Sequence, residues 1–174
     1  LQPLSVTALY QHIERAFWQH QYPQSTPSKD DTVLRSICAI EQATLRQLAW
    51  QGRLVNQTAL SVHLQQRVFN QLWTQHASLN KPALKIRTWQ AFASGFLQAE
   101  SPSSPNARPL EQRYYFIHHS LQDYFAADYV CRALQGKYGE ESYDQAIAWI
   151  TRYKYYPHTQ TLLGFVAGLT TQPG

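Results

Sequence analysis

The chain has 174 residues, of which 44% are hydrophobic and 15% are charged, so it is long enough and apolar enough to bury a core. With 11 Tyr and 5 Trp, its composition excludes a disordered tail. The formal net charge is +4, but even the densest basic groups, Lys85 with Arg87 and Arg152 with Lys154, do not form a polybasic run. This scatter argues against nucleic acid as the main partner.

The two cysteines, Cys38 and Cys131, lie far apart in apolar helical patterns. This placement indicates buried free thiols in a reducing compartment, not a disulfide scaffold or a zinc site. No apolar run approaches the ~20 residues that a membrane span needs. We therefore expect no membrane span and a cytoplasmic location, in a bacterium or in a host cell if the protein is a secreted effector. Because the chain begins with Leu1 and not Met, we interpret it as a fragment of a longer protein.

Helical periodicity dominates the first part of the chain, and we assign residues 1–80 to a helical domain. The apolar spacing around Leu9 and Phe17 predicts a first helix with Thr7 as its N-cap. Two prolines then break the pattern, so residues 22–29 are predicted to form a loop.

Two more helices are predicted in this domain. The second begins at Asp30 or Asp31, either of which would cap its start, carries apolar residues from Val33 onward, and ends at Gly52. The third covers roughly Ala59 to His76, again with apolar residues at helical spacing.

Residues 81–136 are predicted to form a winged-helix domain. A proline suits the first turn of a helix that runs from about Ala83 to Ser94. The period then changes, and Gly95–Glu100 and Glu111–His118 are predicted to be the strands of a β-hairpin with a long loop rich in Pro and Ser. The helix after the hairpin ends near Gly136.

Two further helices are predicted within residues 137–174, which we assign to a helical extension that starts a second helical or repeat region. The expected fold is therefore mostly α. It consists of a helical bundle, then a winged-helix element with one β-hairpin, then further helices.

The junction between the second hairpin strand and the following helix carries the residue types with chemical potential. His118, His119, Ser120 and Asp123 include those of a hydrolase triad, but they lie within six positions, where a helix cannot aim them at one another. The adjacent histidines diverge, and no His or Cys lies three or four residues away. We predict no catalytic residue and no metal ligand.

Phosphate binding is the remaining local possibility. Ser120 and Asp123 loosely match a capping box and mark a helix start just after His118. Such a start attracts anions, so His118 could donate a hydrogen bond to a phosphate. Alternatively, His118 bonds a backbone carbonyl at the junction, which the local chemistry alone favours. A Gly-x-x-x-x-Gly-Lys-Ser/Thr loop is absent from these residues, which excludes binding of a nucleoside triphosphate by that route.

The segment Phe116–Val130 resembles the strand-to-helix junction in the winged-helix domain of NACHT-type STAND P-loop NTPases, which are NLR-like signalling proteins. The family run reads approximately Phe-x-His-x-Ser-Phe-Gln-Glu-Tyr/Phe-Phe-Ala-Ala. Leu121 and Asp123 are mild departures from it. Three other segments are similar to further parts of the family: Thr7–Gln21, Ser94–Glu100 and Tyr153–Leu169. The matching junction residues are Phe116, His118, Ser120, Gln122, Tyr124, Phe125, Ala126 and Ala127.

The resemblance implies a nucleotide switch. His118 would contact the β-phosphate of bound ADP and hold a closed, inactive state, while His119 stands where a related Met-His-Asp motif carries Asp. Exchange of ADP for ATP would break this contact and permit formation of a homo-oligomer. The P-loop core with its ADP or ATP and Mg would lie upstream, so this chain would be no enzyme alone and would hold no cofactor. Its partners would be that core and an unknown ligand or protein trigger, in an innate-immunity or antiphage-like system.

Two alternatives from other classes stay open. A winged-helix regulator that binds DNA would use the helix containing Lys85 and Arg87 as its recognition helix. A helical scaffold for protein–protein interaction would give His118 a purely structural role.

Overall fold

The computed structural model describes residues 5–23, 34, 36–78, 80–100 and 111–171. Within these ranges the chain is mostly helical, with seven α-helices of 11 or more residues and a three-stranded antiparallel sheet, which confirms the predicted fold class. The helices are α1 (Val6–Gln21), α2 (Ala39–Leu54), α3 (Val62–Gln75), α4 (Lys81–Ala93), α5 (His119–Leu134), α6 (Glu140–Tyr153) and α7 (Gln160–Thr170). The strands are β1 (Ala59–Leu60), β2 (Leu97–Ala99) and β3 (Tyr114–Phe116).

Side-chain caps set the start of three helices. Ser5, Ser61 and Asn80 cap α1, α3 and α4, and each accepts a hydrogen bond of 2.8 to 3.2 Å from the backbone N–H three residues on. The prediction of Thr7 as the cap of α1 was wrong. Thr7 lies inside α1 and is buried against Gly168 of α7, because the two helices pack closely there.

The sheet contains one strand more than predicted. β2 and β3 form the expected hairpin, with Leu97 opposite Phe116, although both strands are shorter than the sequence indicated. β1 pairs with the other edge of β3, with Leu60 opposite Tyr114, so the third helix begins at Val62 and not at Ala59. The pairing joins a strand from residues 1–80 to the hairpin of residues 81–136.

Two glycines were predicted to end helices, and the structure confirms one of them. Gly136, at φ 74°, follows the end of α5 and donates to the carbonyl of Ala133, as a C-terminal glycine does. The prediction that Gly52 ends α2 was wrong, because the helix continues to Leu54. Gly52 is instead required for close packing, since an added Cβ would lie 2.6 Å from the Gln122 side-chain nitrogen. The predicted helix start at Asp30 or Asp31, Val33 and most of the loop of residues 22–29 lie outside the described residues.

Helix α5 is the centre of the core, packed between α2 and α7. Phe125 is fully buried, and its ring lies 5.1 Å from that of Phe96 and 6.0 Å from that of Phe116. Cys38 and Cys131 are buried free thiols, as predicted, and burial raises the pKa of each to about 12. None of the helices in the described ranges combines the length and apolar character needed to cross a membrane.

Candidate phosphate-contact site at the start of helix α5

His118 lies between the end of β3 and the start of α5. Its backbone is extended, at φ −141° and ψ 135°, and its side chain is exposed. The predicted helix start beside His118 is therefore correct, but His118 itself is the N-cap residue. The expectation of a capping box led by Ser120 was wrong, because Ser120 already lies within the first turn of α5.

The ring of His118 is held by Ser120. Nδ1 accepts a hydrogen bond of 3.3 Å from the backbone N–H of Ser120 and lies 2.5 Å from Ser120 Oγ. Because Nδ1 acts as an acceptor, the proton of the neutral ring is on Nε2. No residue in the described part of the chain bonds Nε2, and the ring bonds no backbone carbonyl there. His118 therefore presents a hydrogen-bond donor at the start of a helix.

Helix α1 supports this arrangement through Tyr10, whose hydroxyl forms a short hydrogen bond with Ser120 Oγ. The Tyr10 ring is fixed by its own packing, with centroids 4.8 Å from Phe165 and 5.7 Å from Tyr124. Sequence reasoning assigned Tyr10 no role at the site. The only signal was its position in the Leu-Tyr pair of the segment that resembles the family.

The Asp123 carboxylate serves a different purpose from the one the triad pattern suggested. It is almost fully buried and forms an ion pair with Arg53 of α2, while His119 Nε2 lies 3.7 Å from Oδ2. Arg53 Nη2 also donates a 3.0 Å hydrogen bond to the backbone carbonyl of His158, so it links α5 to the segment before α7. Asp123 bonds neither His118 nor Ser120, and no Ser–His–Asp relay is assembled.

Burial dominates the electrostatics of Asp123 and raises its pKa, while the positive charge of Arg53 opposes that shift. Neither carboxylate oxygen has an aligned hydrogen-bond donor among the described residues, although the Arg53 guanidinium contacts it. Asp123 therefore depends on Arg53 for its stability in the interior.

Two of the three basic residues of α4, Arg87 and Lys85, make contacts within the protein. Arg87 forms an ion pair with the buried Glu41, including a 2.7 Å hydrogen bond to Oε2, and also bonds the carbonyl of Ile37. Lys85 Nζ lies 4.9 Å above the ring of Trp89. Arg87 is therefore occupied by Glu41 and is not free to contact a DNA backbone, whereas Lys81 and Lys85 are exposed.

Sequence reasoning missed a polar network between α1 and α5. Glu14 accepts hydrogen bonds from Trp18 Nε1 at 3.2 Å and from the Tyr124 hydroxyl at 2.8 Å. Burial raises the pKa of Glu14. The same residues line a cleft of about 310 Å³. In the sequence, Glu14 occupied an ordinary polar position of an amphipathic helix, so periodicity alone gave no signal.

No group of three or more His, Cys, Asp or Glu side chains in the described ranges is placed to hold a metal ion. Comparison with known proteins identifies no relative: no family model, no curated protein and no solved structure matches the chain. The resemblance to NACHT-type NTPases thus stays a prediction from the residues of the α5 junction and the segments similar to it.

Proposed function

We propose that this chain is the helical and winged-helix part of a NACHT-type STAND signalling ATPase, and that His118 senses the nucleotide held by an upstream P-loop core. The observation that carries the proposal is the orientation of the His118 ring. Its Nδ1 is occupied by Ser120, which leaves Nε2–H as a donor without a partner among the described residues.

The local field also favours a phosphate at this position. The start of α5 carries the positive end of the helix dipole, which stabilises an anion by about 0.3–1 kcal/mol. A hydrogen bond from Nε2 to a charged phosphate oxygen would add about 1.5–3 kcal/mol. Tyr10 and Ser120 restrict the ring, so less rotational freedom is lost when the bond forms.

The proposed mechanism is a switch based on differential contact. ADP in the upstream core bonds His118 only when the winged helix is docked, so ADP stabilises the closed arrangement. Exchange for ATP removes this preference, and the domains then rotate and assemble into a homo-oligomer in response to an unknown trigger. In this scheme the core supplies the P-loop and Mg. The present chain acts as a clamp in the cytoplasm and performs no catalysis itself.

The first test is the sequence upstream of these residues, which must contain a P-loop followed by an acidic Walker B strand. The second test is His118→Ala in the full-length protein, with His119→Ala as the matched control. Loss of a hydrogen bond to a charged group predicts ADP release that is about 10- to 100-fold faster for His118→Ala only. Unchanged ADP retention in His118→Ala, or absence of a P-loop, would contradict the proposal.

The alternatives receive less support. Binding of DNA would need free cations on α4, where Arg87 is instead paired with Glu41. Measurable binding to duplex at low salt, with a steep loss as salt rises, would restore that alternative. A scaffold role would be indicated if His118→Ala lowered stability without any effect on nucleotide.

A further inference from the structure

A second cleft, of about 690 Å³, lies at the ends of α3 and α5, against α2, and its lining does not include His118. We call it the arginine cleft. No carboxylate lines it within the described ranges. Its lining residues with polar side-chain groups are Gln42, Arg46, Gln75, His76, Arg132, Lys137 and Tyr138.

Two arginines beside this cleft are held in place by one acid. Asp128 accepts hydrogen bonds from Arg46 Nε at one carboxylate oxygen and from Arg132 Nε, at 3.0 Å, at the other. The Arg46 side chain is 6% exposed and that of Arg132 is 33% exposed. Burial alone would raise the pKa of Asp128, but the two guanidinium groups outweigh it and lower the pKa. Asp128 is therefore ionised, and both of its oxygens are occupied.

The glutamines beside the arginines also keep donors free. The side-chain oxygen of Gln42 accepts from Arg46 Nη2 at 3.1 Å, and that of Gln75 accepts from Gln47 at 2.8 Å. Each amide thus retains its NH₂ group for the cleft. Lys137 has only donors. The hydrogen-bonding capacity left over in the arginine cleft consists mainly of donors.

The charged side chains at the arginine cleft also favour an anion. Arg46, Arg132 and Lys137 contribute three positive charges, and the two acids near Arg46 are Asp128 and the buried Glu14, neither of which lines the arginine cleft. Arginine side chains bind phosphate through paired N–H groups, and a shared carboxylate that fixes them in advance lowers the entropy lost on binding. The cleft volume also falls within the range of about 300–1,000 Å³ that is usual for small-molecule sites.

We propose that the arginine cleft binds a phosphate-bearing small molecule, with Arg132 and Lys137 as its direct contacts and Asp128 as a positioning residue. This site is separate from His118 and does not depend on the function proposed for that residue.

A structural explanation of the same cations makes a different prediction. Helices α3 and α5 both end at this cleft, and cations near a helix C-terminus stabilise its dipole. If this were their only role, substitution would lower stability, and no phosphate compound would bind saturably.

The test is isothermal titration of the 174-residue chain with inorganic pyrophosphate at about 0.05 M salt, where screening of charges is weak. We expect saturable binding of one pyrophosphate that weakens about tenfold or more in Lys137→Gln and in Arg132→Gln, since each removes a charge-assisted hydrogen bond. Lys85→Gln is the matched control, because it removes one positive charge outside the cleft. A thermal unfolding transition in each variant establishes that the variant is folded. If Arg132→Gln does not fold, the test rests on Lys137→Gln.

Three outcomes would overturn the proposal. One is the absence of saturable binding. Another is equal weakening by Lys85→Gln, which would indicate attraction to net charge alone. The third is unchanged affinity in both cleft variants, and lower stability in addition would favour the structural explanation.

Discussion

The contact between α1 and α7 offers a sharp test of the packing described above. An added Cβ at Gly168 would lie 2.0 Å from Thr7 Oγ1 and 2.8 Å from Thr7 Cβ, so Gly168→Ala must separate the two helices or shift Thr7. Overpacking of this kind costs about 1–3 kcal/mol. The higher helix propensity of alanine offsets about 1 kcal/mol of this destabilisation.

Gly164 supplies the matched control. It lies one turn earlier in the same helix, and an added Cβ there would meet nothing within 4 Å. Gly164→Ala should therefore stabilise the protein by about 0.5–1 kcal/mol through propensity alone. The free energy of unfolding, measured by urea denaturation with tryptophan fluorescence, should separate the two variants by about 1–3 kcal/mol, the size of the overpacking penalty.

A double variant locates the cause. Thr7→Gly removes the Cβ and hydroxyl that Gly168→Ala would meet, so the loss due to Gly168→Ala should be smaller in the Thr7→Gly background. Equal stability of Gly168→Ala and Gly164→Ala would refute the close approach of α1 and α7. It would also contradict the packing of α1 on α7 that places Tyr10 beside Ser120.

Two further predictions concern buried charges. Burial raises the pKa of Glu14, so the native state binds its proton more tightly than the unfolded state. The free energy of unfolding should then fall as pH rises from the unfolded pKa of 4.5 through the folded pKa. Glu14→Gln should reduce this dependence on pH, measured by urea denaturation between about pH 4 and about pH 8. An unchanged dependence would exclude Glu14 as its source. Removing Arg53 takes away the ion-pair partner of the buried Asp123 and leaves His119 Nε2 at 3.7 Å, so Arg53→Met should lower the free energy of unfolding by about 3–5 kcal/mol. Asp123→Asn in the same chain should recover part of this loss. No recovery in the double variant would contradict the ion pair.

Local patterns were sufficient to predict that the helices and the hairpin exist, although several of the predicted helix ends were wrong. The apolar period around Leu64, Val68 and Leu72 fits one buried face of α3, and each of these residues is buried. Alternation on either side of the Pro- and Ser-rich loop located β2 and β3. Gly136 was read correctly because a left-handed residue after a helix is a local requirement of the backbone.

Local patterns failed where a distant segment decided the structure. β1 has two residues, too few for any period, and exists because β3 offers a free edge for pairing. Gly52 was interpreted as a helix end, whereas it is small because Gln122 approaches it. Asp123 resembled a capping acid, but Arg53, which lies on another helix, holds it in the interior.

The His118 site was likewise predictable from local patterns only in part. Local sequence signals alone predicted a histidine between a strand and a helix start, because both signals lie within a few residues. Which ring nitrogen is free follows instead from the folded arrangement, since it depends on the turn that brings the Ser120 N–H to Nδ1 and on the packing of Tyr10 from α1. The shared carboxylate of Asp128 likewise emerges only when α2 and α5 meet, because hydrogen bonds between helices depend on distances in space that no spacing along the chain encodes.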